Sequence, residues 1–360
     1  MATNQNAINM EKVQASAERV LGLLSGAVLS GMVYLGDRMG LYQVLQESGP
    51  VTSSELAQRT GLHERWLREW LQGQAAAGLI TYEGEGKFSL SPEDAMVLAN
   101  ELSPMFLAGG FCALPQQMAV LERLPESFQT GLGLPYDAFG LEGARGIERL
   151  LAPWFRTVLV PVALPKLEGV VAKLVAGARA ADVGCGAGVS LIEMAKAYPR
   201  SEFHGYDISK YALTRAEANK AQAGVRNVTF HDANGDALPA NASFDFLTTF
   251  DCLHDMTNPA AVIRAIRQAL RSDGTWLIAD IHGKGTFEEN LAENPLAPMM
   301  YGFSVLSCMS SALSEPGGAG LGTLGFPEPV ARKMVTDAGF TRFQSHDFNS
   351  PINAYYEVRP

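Results

Sequence analysis

The residues best suited to chemistry in this chain are a set of acids and one histidine, each closing or following a short apolar run. Residues 178–190 read Ala-Arg-Ala-Ala-Asp-Val-Gly-Cys-Gly-Ala-Gly-Val-Ser, which sets Asp182 ahead of Gly184, Gly186 and Gly188. Glycines at alternate positions let a backbone turn sharply and let a ligand lie against bare peptide. The spacing is not the G-x-G-x-x-G of a dinucleotide fold. An acid at Asp182 would repel a pyrophosphate and suits a ligand with a cationic amino group. Asp207 closes the next apolar run, 19 residues past Gly188, with Ile208 beside it. A carboxylate there can accept two hydrogen bonds from ribose hydroxyls. Asp232-Ala233 pairs an acid with a small residue, which suits an adenine amino group and ring face. The run Thr249-Phe-Asp-Cys-Leu-His-Asp-Met256 adds His254, a candidate general base near neutral pH, with Asp251 or Asp255 to orient its ring. Asp251 also falls on the ligand side of this set. The alternative for Asp207 and Asp255 is helix capping, and for His254 simple packing.

Such residues need a scaffold that gathers strand ends. Strands are expected at 179–183, 202–206, 227–230, 244–249 and 275–280. Helices lie between them, including Lys210–Ala223 and Pro259–Arg271. This is the rhythm of a doubly wound parallel α/β sheet, which binds ligands outside the carboxyl ends of its strands. Residues 339–343 and 352–358 predict a closing antiparallel hairpin.

Ahead of the sheet, residues 14–46 read as two helices, broken by Gly49-Pro50. Thr52-Ser-Ser-Glu55 has capping-box form. A short helix then ends at Gly61. A second, from about His63 to Ala77, sets Trp66, Leu67, Trp70 and Leu71 on one side. Strands at 79–82 and 87–90 complete the layout of a winged helix. From Leu102 to Leu167 the pattern is mostly helical and punctuated by prolines, a connector. The expected domains are 1–100, helical with a winged helix and suited to dimerisation; 101–168, the connector; and 169–360, the ligand-binding sheet.

Composition narrows the function. The chain has 360 residues, a formal charge of −10 and 47% hydrophobic content, so a folded two-domain protein is expected and a general polyanion binder is not. Between Ser53 and Ser91 four basic residues face five acidic ones, and the wing tip is acidic. Phosphate contacts carry most DNA affinity, so a scaffold role is expected over DNA binding. Cys112, Cys185, Cys252 and Cys308 are far apart with no C-x-x-C pair, so no metal site or disulfide framework is expected, and a cytoplasmic setting fits reduced thiols. Val20–Gly36 carries no charge but is short for a membrane span. It reads as a core or subunit-interface helix.

Taken together, Asp182 with its three glycines, Asp207, Asp232-Ala233 and the Leu-His-Asp255 element resemble the two-domain, winged-helix class I S-adenosylmethionine (SAM)-dependent methyltransferases. The Phe-Asp-Cys-Leu-His-Asp-Met run and the Ala-Gly-Phe-Thr-Arg-Phe343 ending are similar to a bacterial group of these enzymes. The winged-helix front is similar to that of the phenolic O-methyltransferases, which dimerise through it. The resemblance implies a Rossmann-like methyltransferase sheet behind the winged-helix domain. It implies SAM as cofactor, held by Asp182, Gly184, Gly186, Gly188, Asp207, Ile208, Asp232, Ala233 and Asp251. It implies a homodimer, transfer to oxygen or sulfur of a small molecule, and His254 as base, with Met256 standing where that family usually has tryptophan. Tyr136, Phe139, Trp154, Met299 and Tyr301 are the candidate acceptor-site residues, with Met300 and Phe303 beside them, and residues 296–325 are the candidate lid. A SAM-sensing regulator that uses the winged helix is the alternative.

Overall fold

The computed structural model describes residues 8–360. The first seven residues of the expected front domain lie outside them. The chain divides into two compact units, 1–114 and 115–360.

The first unit opens on a long helix, Met10–Arg38, which Gly40 in the left-handed region turns into a short one, Leu41–Ser48. Gly36 lets the two approach: a Cβ there would stand 2.7 Å from the Tyr42 ring. The capping box forms, with Thr52 Oγ1 accepting from the Glu55 N–H and Glu55 Oε2 accepting from the Thr52 N–H. Helices Ser53–Thr60 and Glu64–Ala76 follow, then a hairpin of Thr81–Gly84 and Lys87–Ser89. Residues 51–52 pair with the second hairpin strand, completing the three-stranded wing. Leu67, Trp70 and Leu71 bury as a stripe at i, i+3 and i+4, joining Leu41, Tyr42, Leu45, Leu56 and Phe88 in one core. Trp66 does not join them. It falls off the edge of the stripe and is 79% exposed. The two helices expected within 14–46 are present. In the first only Val33 and Gly36 are buried, so the core option for 20–36 does not hold within this chain.

The second unit holds a seven-stranded sheet. We number its strands β1 (Arg179–Val183), β2 (Glu202–Asp207), β3 (Val228–Asp232), β4 (Phe244–Phe250), β5 (Leu270–Ile281), β6 (Arg342–His346) and β7 (Asn353–Arg359). Their order is β3-β2-β1-β4-β5-β7-β6. The first five run parallel, and β7 is antiparallel to both neighbours. Helices α1 (Val189–Ala197), α2 (Lys210–Ala223) and α3 (Pro259–Ala269) are the first crossovers. One buried cluster, with Leu191, Phe203, Phe246 and Leu277, covers one face of the sheet, and another, with Leu247, Ile263, Trp276 and Phe326, covers the other. Strands buried on both faces explain the near-continuous apolar runs of the sequence. Strand order reverses between β1 and β4, so a crevice opens where the glycine turn leaves β1.

Candidate active site

Gly184, Gly186 and Gly188 all lie at positive φ, 74°, 53° and 71°. Each has its own neighbourhood. A Cβ on Gly184 would meet Cys252 Sγ at 2.7 Å, and one on Gly188 would run into the Phe230 ring. Gly186 faces open space, and its N–H donates to Asp207 Oδ2 at 2.8 Å. The outer two glycines therefore lock the turn, and the middle one exposes peptide. Gly188 leads into α1, so the helix N-terminus points at the same space.

Asp182 lies beneath the turn and is 1% exposed. Its two oxygens accept from Ser190 Oγ at 2.5 Å and Thr248 Oγ1 at 2.8 Å. Burial pushes its pKa up to about 7, although those hydroxyls oppose the shift. Asp207 ends β2. It accepts from the N–H groups of Gly186 and Ser209, and burial raises its pKa. Ser209, not Asp207, caps α2. Ile208 is exposed beside it. Asp232 ends β3 and accepts from the Asn234 N–H and side chain. The Ala233 N–H donates to the Asp207 carbonyl, which joins the two strand ends.

The end of β4 carries the most chemistry. Asp251 sits at φ 49°, accepts from Asn353 Nδ2 at 2.5 Å, and is pushed to about 7 by burial and by Asp280. The His254 ring is held by Asp280 of β5: its Nδ1–H donates to Oδ1 at 2.5 Å, with the two side chains 3% and 1% exposed. The Ile281 N–H also donates to that oxygen. Asp280 Oδ2 is buried without a protein partner. The orienting carboxylate is thus Asp280, where the sequence reading offered Asp251 or Asp255. Burial alone would lower the His254 pKa, but Asp280 and Cys308, both within hydrogen-bond reach of the ring, together raise it well above the usual value. Asp255 rises to about 7 through burial, opposed by His254. It does not cap α3; Asn258 does. Tyr136 lies within electrostatic reach of Asp255, Asp207, Cys308 and Cys252.

The other acceptor-site candidates separate. Trp154 stacks on Tyr355 with centroids 5.2 Å apart and also meets Phe250, lining a small cavity with Asp251 and Asn353. Phe139 packs into a small cluster with Val120, Leu124 and Leu134. Met299 and Tyr301 are exposed on the helix Ala297–Phe303, and Met300 is buried in it. The segment 296–325 folds as short helical turns and a glycine-rich stretch. Three residues that matter to this geometry were not singled out: Asp280, Asn353 and Ser209 in its contact with Asp137. Asp280 was within reach of the strand-end rule that found the others, since it closes the run 275–280.

The residues fit the cofactor expected. The turn offers a bare peptide at Gly186, and buried acids with raised proton affinity stand around it. The raised pKa values of Asp182, Asp251 and Asp255 mark a pocket that positive charge would stabilise, which suits a sulfonium ligand. Sheet order, glycine turn and strand-end acids together match the fold of the class I methyltransferases. In domain content, the chain carries a methyltransferase domain behind a winged helix-turn-helix: residues 174–315 match the family model described as a methyltransferase domain, and residues 27–100 the Rv2258c-like winged HTH domain. The chain is 35% identical over 109 residues to a ubiquinone biosynthesis O-methyltransferase of Ralstonia nicotianae, covering 30% of this chain and 44% of that one. It is 27% identical to demethylspheroidene O-methyltransferase of Cereibacter sphaeroides, over 74% of this chain and 71% of that one. The chain spans less than half the length of the first curated relatives it matches. In fold it is similar to human N-acetylserotonin methyltransferase in complex with SAM, with a TM-score of 0.68, 16% identity, and coverage of 100% and 99% of the two chains.

Proposed function

We propose that this protein methylates an oxygen of a small molecule, with SAM as donor and His254 as general base. The observation that carries this reading is the buried His254–Asp280 pair, two residues past Cys252, whose sulfur lies against Gly184 of the glycine turn. The relatives named as O-methyltransferases favour oxygen over sulfur. Bound SAM supplies an electrophilic methyl group on a cationic sulfur. Asp207 and Asp232 hold the nucleoside end, with Ile208 and Ala233 against it, and the Gly184–Gly188 turn gives the backbone room. Asp182 acts through Ser190 and Thr248, which keep the turn in place, and Asp251 and Asp255 place negative charge opposite the sulfonium. His254 Nε2 takes the acceptor's hydroxyl proton, and Asp280 fixes the ring and stabilises the imidazolium formed. Tyr136 and Trp154 border the acceptor, with Phe139 anchoring the same turn in its buried cluster; Met299 and Tyr301, at the surface, mark the entrance. Burial of His254 and Asp280 keeps water from the base.

The winged helix serves subunit contact. Arg65 and Arg68 are each tied to a glutamate of their own helix, Glu69 and Glu64, and so are poorly placed for phosphate. Val20, Leu21, Leu23, Leu24 and Val28 are each more than 60% exposed, which a second copy of the chain would cover. The helix is also long and apolar enough to cross a membrane, so partition of the protein into the membrane fraction would overturn the reading as a cytoplasmic homodimer. The test of function is calorimetric titration with SAM and S-adenosylhomocysteine, followed by methyl transfer to a panel of phenols and enols. Micromolar binding and transfer lost in His254→Ala are expected. Absence of binding would sink the proposal.

A further inference from the structure

We propose that residues 133–139 form a clasp over the cofactor site, and that Asp137 is a positioning residue that holds Tyr136 there through Ser209. This rests on reading the strand-end acids as the adenosyl site. Ser209 is 2% exposed and does three jobs. Its Oγ donates to Asp137 Oδ1 at 2.5 Å and accepts from the Ala212 N–H at the start of α2. Its own N–H donates to Asp207 Oδ1 at 2.8 Å. The clasp is therefore fastened to the residue that supports Asp207.

The other end of the clasp is fastened elsewhere. The Gly133 N–H donates to the Leu313 carbonyl at 2.9 Å, and the Leu134 N–H to Ser310 Oγ at 2.8 Å. A Cβ on Gly133 would collide with the Ser310 carbonyl, so this close approach requires glycine. Leu134 and Phe139 are buried in a cluster packed by Val305 and Leu306. Residues 133–139 thus run from the 304–313 helical segment to α2. Between the two fastenings Tyr136 stands in reach of Asp207, Asp255, Cys252 and Cys308. A nucleoside lying along Gly186 and Asp207 would pass under this stretch. Its release needs the Asp137–Ser209 contact to open, whereas methyl transfer at His254 does not.

The experiment uses the full chain and compares Asp137→Ala, Asp137→Asn and Tyr136→Ala. Stopped-flow displacement of S-adenosylhomocysteine gives its dissociation rate, and steady-state assays split kcat from KM for SAM. Losing a hydrogen bond to a carboxylate should speed dissociation about tenfold or more in Asp137→Ala and raise KM with it, with a much smaller change in kcat. Asp137→Asn keeps an oxygen acceptor for Ser209 and should recover most of the retention. Should Asp137→Ala fail to melt cooperatively, Tyr136→Ala, which leaves both fastenings intact, must show the faster release. Wild-type dissociation rates in either alanine variant, or a fall in kcat alone, overturn the clasp while leaving the cofactor reading in place. A wild-type protein that binds no S-adenosylhomocysteine overturns both.

Discussion

Replacing Asp280 with asparagine isolates the charge that holds His254. Asp280 and His254 are almost fully buried, and their contact is 2.5 Å. Asparagine preserves the shape, and its amide oxygen can still accept from the Ile281 N–H. It cannot balance an imidazolium. Breaking a buried ion pair costs about 3–5 kcal/mol, and each decade of rate is about 1.4 kcal/mol. If that cost falls on the transition state in which His254 gains the acceptor's proton, methyl transfer should slow roughly 10²- to 10³-fold or slightly more. The loss should also depend on the acceptor. A phenol already ionised at the assay pH needs no base, so acidic phenols should recover most of the rate, and phenols near the ordinary pKa of about 10 should show the full deficit. Single-turnover methyl transfer across a phenol series measures this directly, with SAM affinity and the melting transition as controls. An equal deficit on every phenol, or less than about a threefold loss on the weakest acids, would refute the assignment of His254 and Asp280 as base and orienter.

Charge in the pocket gives a pH signature. Asp182, Asp251 and Asp255 titrate near 7 in the fold and near 3.8 as free groups. The folded state therefore holds more protons between about pH 4 and pH 7, and the stability of the ligand-free protein should fall as pH rises through that window; a melting temperature flat over it would count against the burial of these acids. SAM carries the sulfonium charge and S-adenosylhomocysteine does not, so the affinity ratio in favour of SAM should grow about threefold or more from about pH 6 to about pH 8 in calorimetry. A constant ratio would mean that the acids do not face the sulfur. Gly188→Ala should cost stability, because its Cβ meets the Phe230 ring at φ 71°. Gly186→Ala faces open space at φ 53° and should lose SAM affinity with a smaller stability loss, about 1–2 kcal/mol for the left-handed backbone; equal melting losses in the two would contradict the division of labour in the turn. By light scattering the unaltered chain should be a dimer and Leu24→Glu, on the exposed long helix, a monomer; a monomeric unaltered chain would overturn the subunit-contact role.

Much of the fold was legible because the sheet is buried on both faces. Apolar runs such as residues 276–279 mark strands buried on both faces, and acids at their ends stand out against them. The glycine turn was legible for a related reason: three residues at positive φ must be glycine or pay in strain. What escaped was pairwise geometry. Nothing in the spacing says that His254 turns to β5 for its carboxylate, because β4 and β5 are adjacent only in the sheet. Asp251 and Asp255 were nearer in sequence, and proximity along the chain misled. Trp66 escaped differently. Its period places it one turn from Trp70, but the core stripe is narrower than the apolar stripe of the helix.

The raised proton affinity of His254 bears on how the site works. Asp280 and Cys308 favour the imidazolium, and an imidazolium cannot take a proton from an acceptor. The same neighbourhood contains Asp251 and Asp255, which burial holds partly neutral. Positive charge brought to this end of the sheet acts on both. It stabilises the carboxylates in their ionised form, and it lowers the proton affinity of the ring by like-charge repulsion. If His254 is the base as proposed, binding of a cationic donor should lower the proton affinity of the ring and release protons. That expectation follows from placing one buried histidine among several buried acids. Replacing Asp280 with asparagine removes the leading influence that favours the imidazolium, and proton release on SAM binding should fall by the share that His254 contributes.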